Sequence, residues 1–105
     1  MERILVVDDD RGMQDMLDIM LSRAGYQVAT ADDGAAALEI IRKKKFDLVI
    51  TDLKMPRVDG IELLRGVKEA APETAVILLT AFASGETALA AMREGAYDYV
   101  EKNFN

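Results

Sequence analysis

Apolar residues along the chain follow two rhythms. "ILVV" (4–7), "DLVI" (47–50) and "AVILL" (75–79) are nearly unbroken apolar runs, as in strands covered on both faces of a parallel sheet. "YQVAT" (26–30) alternates and predicts a further strand, and "YDYV" (97–100) has the mixed polarity of a strand at a sheet edge. Between these runs the spacing changes to three and four. Met13, Met16, Leu17, Met20, Leu21 and Ala24 form the stripe of an amphipathic helix that stops at Gly25. Residues 34–44, 59–70 and 85–94 repeat that pattern, with Asp33, Asp59 and Ser84 as N-caps and Gly95 as a stop. No internal repeat, linker or low-complexity stretch interrupts the alternation.

The predicted order β-α-β-α-β-α-β-α-β belongs to the α/β class, with right-handed crossovers and helices on both faces of one sheet. Ligands in such sheets sit beyond the carboxyl ends of the strands, where the strand order reverses. The chain of 105 residues predicts a single domain, able to bury roughly two-thirds of the surface its unfolded form exposes. Nineteen acidic against 13 basic side chains give a net charge of −6, which excludes a uniformly positive field for nucleic acid or an anionic membrane. No apolar run approaches a membrane span and the N-terminus lacks the plan of a secretion signal, so the expectation is a cytoplasmic protein. With no Cys and no His, disulfide, thiolate and imidazole chemistry are excluded, and any metal is held by oxygen.

The strand ends carry the candidate chemistry. The first ends in Asp8, Asp9 and Asp10, the third in Thr51 and Asp52, the fourth in Thr80, and the fifth runs into Lys102. Carboxylates gathered at one mouth repel one another unless a cation intervenes. Mg²⁺ is suited to such a place, because it binds through one or two carboxylates and completes its shell with water and phosphate oxygens. Asp10 is also placed to cap the first helix and meet its dipole. Asp52 is a candidate nucleophile for an aspartyl phosphate, with Lys102 as a point charge and the Thr80 hydroxyl as a hydrogen-bond donor. Taken singly, a lysine near a chain end is ordinarily solvated and a threonine at a strand end ordinarily bonds its neighbours. Convergence from four strand ends tells against both plain alternatives.

Jointly, "ILVVDDD", "VITDLKMPRVDGIELL", "ILLTAFAS" and "GAYDYVEK" resemble the receiver domain of bacterial two-component response regulators, over essentially all of residues 1–105. The resemblance implies a flavodoxin-like, doubly wound sheet of five parallel strands in the order 2-1-3-4-5. It implies that Asp52 accepts a phosphoryl group from a phosphohistidine on a sensor histidine kinase. Asp8 and Asp9 match the family's acidic pair, which with Asp52 and the Lys54 backbone carbonyl holds Mg²⁺. Thr80 and Lys102 match the hydroxyl and lysine that receive the phosphoryl oxygens, and Met55, Pro56 and Gly60 fit the loop after the acceptor. Tyr99 matches the switch aromatic, which turns inward when Thr80 moves, and Tyr97 lies on the same side of an ideal strand. Lys54 and Phe82 match positions that modulate attack by water, with slow self-dephosphorylation as the expectation. The resemblance implies chemistry limited to self-catalysed phosphotransfer and self-dephosphorylation.

The wording from Leu78 to Lys102 is similar to receivers joined to enhancer-dependent, ATP-hydrolysing transcription activators. That likeness implies an output domain and a homodimer through the helix 4/strand 5 face; the alternative is a stand-alone chemotaxis-type or phosphorelay receiver. Two positions depart from the family. Asn103 stands where a proline, usually in a cis bond, is the rule; a cis bond before a non-proline residue costs about 2–3 kcal/mol more than before proline. The fifth helix is absent after Phe104, which reads as a receiver incomplete at its C-terminus and predicts an uncovered sheet edge met by another chain or by more of the same one. An aspartyl-phosphate phosphatase shares the nucleophile but needs a cap domain. A flavodoxin-like mononucleotide binder shares the topology, but "DDDRG" in the first turn repels phosphate rather than cradling it.

Overall fold

The computed structural model describes residues 2–102; Asn103 and Phe104, which carry the departures from the family pattern, lie outside the described residues. Among the described residues five strands alternate with four helices: β1 (Arg3–Val7), α1 (Arg11–Arg23), β2 (Gln27–Ala31), α2 (Gly34–Lys43), β3 (Leu48–Asp52), α3 (Gly60–Ala70), β4 (Ala75–Thr80), α4 (Gly85–Arg93) and β5 (Asp98–Glu101). All strands pair in parallel in the order β2-β1-β3-β4-β5. The direction of winding reverses between β1 and β3, so the switch point lies where Asp8 and Asp52 emerge.

The apolar runs are buried on both faces because successive strand side chains point opposite ways. Leu5, Val7, Val49, Val76 and Leu78 pack against Ala37 and Ile41 of α2, Leu63, Leu64 and Val67 of α3, and Ala91 of α4. Ile4, Val6, Ile50 and Leu79 face the other way, onto Leu17 of α1. Among the described residues α1 alone covers this second face, and Ile77 and Val100 there stay partly exposed.

Helix starts fall where short polar side chains replace the missing intrahelical partners. Asp33 accepts from the Ala36 N–H, and Ser84 from the Thr87 N–H. Asp59 and Glu62 form a reciprocal capping box at the start of α3. Gly25 follows α1 with φ of 102°, a conformation that favours glycine. The strands β2, β3 and β5 each begin one residue later than the apolar pattern predicts. Tyr97 therefore precedes β5, its N–H bonded to the Val76 carbonyl and its side chain 73% exposed.

Candidate functional site

Strand β1 delivers Asp8 into a buried position, where its N–H donates to the Ala31 carbonyl of β2. One carboxylate oxygen of Asp8 accepts from the Asp10 N–H at 2.9 Å, and the other from Lys102 Nζ at 3.0 Å. Asp10 turns back to cap α1, accepting from the Gly12 and Met13 N–H groups. The acidic run thus divides: Asp10 serves the helix, while Asp8, Asp9 and Asp52 bring carboxylate oxygens within 4.8 Å of one another.

Asp52 ends β3, partly buried, with one oxygen 3.2 Å from Lys102 Nζ. The chain then turns back sharply. The Gly60 N–H donates to the Leu53 carbonyl at 2.8 Å, and a Cβ on Gly60 would stand 2.6 Å from the Asp52 carbonyl oxygen. Only glycine lets α3 start this close to the strand end. Lys54 lies in the intervening loop with its side chain exposed.

Thr80 ends β4, buried, with its hydroxyl accepting from the Phe82 N–H at 3.2 Å. Phe82 itself is 79% exposed. The Lys102 N–H donates to the Thr80 carbonyl at 2.7 Å, extending the β4–β5 register by one step and aiming the ammonium at the mouth. Tyr99 is partly buried against the core, and its hydroxyl hydrogen-bonds the Thr87 hydroxyl of α4. A groove of about 540 Å³ runs from Lys54, Met55 and Pro56 to Thr87, alongside that bond.

Burial pushes the Asp52 carboxyl above the usual carboxylate range; the Lys102 ammonium opposes this, and the Asp8 and Asp9 charges add to it. Burial alone would lower Lys102, but its hydrogen bond to Asp8 and the charges of Asp8 and Asp52 outweigh it and hold the ammonium above its ordinary pKa. The donor set fits a hard divalent cation: three carboxylates at one mouth, in a sequence with no His and no Cys.

Structure and sequence agree in bringing Asp8, Asp9, Asp52 and Lys102 together. Thr80 stands at the neighbouring strand end, Lys54 in the loop after Asp52, and Tyr99 on the adjoining edge strand. Gln14 and Thr87 are contacts that the apolar pattern does not single out. Gln14 left one signal, an amide in phase with Leu17 and Leu21 on the apolar side of α1. Thr87 left none, because its partner Tyr99 comes from another element.

The family described as response regulator receiver domain matches residues 4–105. A transcriptional regulatory protein, ZraR of Klebsiella oxytoca, is 46% identical over 99 residues, covering 94% of this chain and 22% of the relative. The chain thus spans under a quarter of that relative's length. Among solved structures, the Thermotoga maritima response regulator TrrA, in complex with Mg²⁺-BeF, has a TM-score of 0.90 and 36% identity, covering all of this chain and 90% of that one. A Burkholderia pseudomallei response regulator with a phosphorylated aspartic acid, calcium ion and citrate has a TM-score of 0.94 and 30% identity, covering all of this chain and 62% of that one. Among the described residues no helix is long and apolar enough to cross a membrane.

Proposed function

The chain belongs to the response regulator receiver domain family, and on that premise we propose that Asp52 accepts a phosphoryl group from a phosphohistidine of a sensor histidine kinase. The observation that carries this is the Lys102 ammonium, held between the Asp8 and Asp52 carboxylates at 3.0 and 3.2 Å, at a mouth lined by three carboxylates.

Asp8, Asp9 and Asp52, with the Lys54 carbonyl, are the groups that would hold Mg²⁺. When bound, Mg²⁺ supplies the positive charge that lets an anionic phosphoryl group approach these carboxylates. An Asp52 oxygen attacks phosphorus as the phosphorus–nitrogen bond to the donor imidazole breaks; the imidazole nitrogen takes up a proton, and an acyl phosphate is left on Asp52. Lys102 opposes the effect of burial on Asp52, favouring its charged form, and then pairs with a phosphoryl oxygen. The Thr80 hydroxyl leaves the Phe82 N–H to donate to another. Hydrolysis returns the carboxylate and inorganic phosphate, and Lys54 and Phe82 at the rim slow the approach of water.

Movement of Thr80 frees space toward which the Tyr99 ring turns, changing the face formed by α4 and β5. Leu89 and Met92 of α4 and the neighbouring Tyr97 are exposed apolar side chains and suit that face to a second copy or an output module. The likeness to a transcriptional regulatory protein favours an attached transcription-activating domain.

Intact-mass measurement after treatment with acetyl phosphate tests the acceptor. The wild type gains the mass of one phosphoryl group with Mg²⁺ and none with a chelator, and Asp52→Asn gains none. A phosphoryl group on Asp52→Asn overturns the proposal.

A further inference from the structure

One buried polar side chain outside the acidic cluster reaches the backbone that carries it. Gln14 of α1 is 3% exposed, and its Nε2 lies 2.8 Å from the Asp8 carbonyl oxygen, 3.2 Å from the Ala31 carbonyl oxygen and 2.7 Å from Asp32 Oδ1. All three partners are acceptors, so the nitrogen end of the amide must face them and the side chain has one workable orientation.

The Asp8 carbonyl belongs to the peptide that joins Asp8 to Asp9. Its oxygen is gripped by Gln14, while the Asp8 N–H is held by the Ala31 carbonyl that Gln14 also contacts. The backbone on both sides of Asp8 is thereby tied to the end of β2. Asp8 has further anchors, since its carboxylate is bonded to the Asp10 N–H and to Lys102. Asp9 is exposed, and among the described residues its carboxylate makes no hydrogen bond or ion pair. The direction in which Asp9 leaves the backbone therefore decides whether its oxygen stays within 4.8 Å of Asp8 and Asp52 against their mutual repulsion.

We infer that Gln14 is a positioning residue for the metal-holding pair, acting through the Asp8–Asp9 peptide rather than by touching the ion. This role rests on the metal site proposed above. Groups that orient ligands in this way affect metal affinity about 10–100-fold when changed, and an effect through the backbone belongs at the lower end.

The test is a calorimetric Mg²⁺ titration of the unphosphorylated chain and of Gln14→Met, which keeps length and volume but donates nothing. It is run at a temperature where urea unfolding shows both fully folded. The Mg²⁺ dissociation constant is expected to rise about tenfold. In parallel, the Mg²⁺ concentration giving half-maximal phosphorylation by acetyl phosphate rises by a similar factor, while the rate at saturating Mg²⁺ changes little. Gln14→Asn, whose amide falls one methylene short of the Asp8 carbonyl, guards against misfolding and shifts affinity the same way by less. Wild-type affinity in both variants, with only the urea midpoint lowered, overturns the inference by showing that Gln14 merely packs. Failure of the wild type itself to bind Mg²⁺ instead overturns the metal site and the inference with it.

Discussion

The Lys102 ammonium lies 3.0 Å from the Asp8 carboxylate, a contact between residues 94 apart in sequence and both largely buried, with side chains 14% and 2% exposed. Removing one member of such a pair leaves an uncompensated charge, which typically costs about 3–5 kcal/mol. Lys102→Met is expected to lose stability of about that size in urea unfolding at neutral pH, with part restored by Mg²⁺. The raised folded pKa of Lys102 sets the pH dependence: its stabilisation is complete below the ordinary value of 10.5 and is lost as pH rises through the higher folded value. The gap between wild type and Lys102→Met should therefore close under strongly alkaline conditions, and a gap that stays constant counts against the pairing.

Asp52 predicts the opposite sign. Burial first, then the Asp8 and Asp9 charges, raise its carboxyl pKa despite Lys102, so ionised Asp52 costs the fold stability. The cost begins as pH rises above the ordinary value of 3.8 and is complete above the folded pKa. In Mg²⁺-free buffer at neutral pH, Asp52→Asn should therefore melt higher than the wild type. The difference should vanish below the ordinary carboxylate pKa. A variant that melts lower at neutral pH would show that the Lys102 pairing dominates instead.

The hydroxyl bond between Thr87 and Tyr99 joins α4 to β5. A double-mutant cycle with Thr87→Val and Tyr99→Phe should give a coupling of about 0.5–1.5 kcal/mol, the usual net worth of one hydrogen bond. If Tyr99 turns away on activation, the same cycle in the presence of beryllofluoride and Mg²⁺ shows coupling near zero. Unchanged coupling there sinks the switch role of Tyr99.

Gly60→Ala would place a methyl 2.6 Å from the Asp52 carbonyl oxygen and 2.8 Å from Leu53 Cα. Both contacts are backbone, so relief requires the strand end or the start of α3 to move, at about 1–3 kcal/mol. Phosphorylation by acetyl phosphate should slow together with the loss of stability. Wild-type kinetics in this variant would mean that the position of Asp52 does not depend on that close approach.

Periodicity alone revealed most of the fold. Leu5 and Val7 alternate with Ile4 and Val6 because a strand buried on both faces needs apolar residues at every position, and the same logic marks β3 and β4. Asp33, Asp59 and Ser84 were legible as caps because capping is a local interaction of side chain with nearby backbone. Strand starts were less legible, as at Tyr97, because the end of pairing depends on neighbouring strands rather than on the residue itself.

The candidate site divides along the same line. Residue order determined which groups stand at strand ends: Asp8 and Asp9 after β1, Asp52 at the end of β3, Thr80 at the end of β4 and Lys102 past β5. It did so because a parallel sheet brings every strand's carboxyl end to one edge. Only the tertiary structure decided which of them meet: Lys102 bridges Asp8 and Asp52, and Gln14 ties the Asp8 carbonyl to Ala31 at the end of β2. Those choices rest on distances of about 3 Å between elements far apart in the chain, and hydrogen bonds and ion pairs at that range depend on packing that no local pattern encodes.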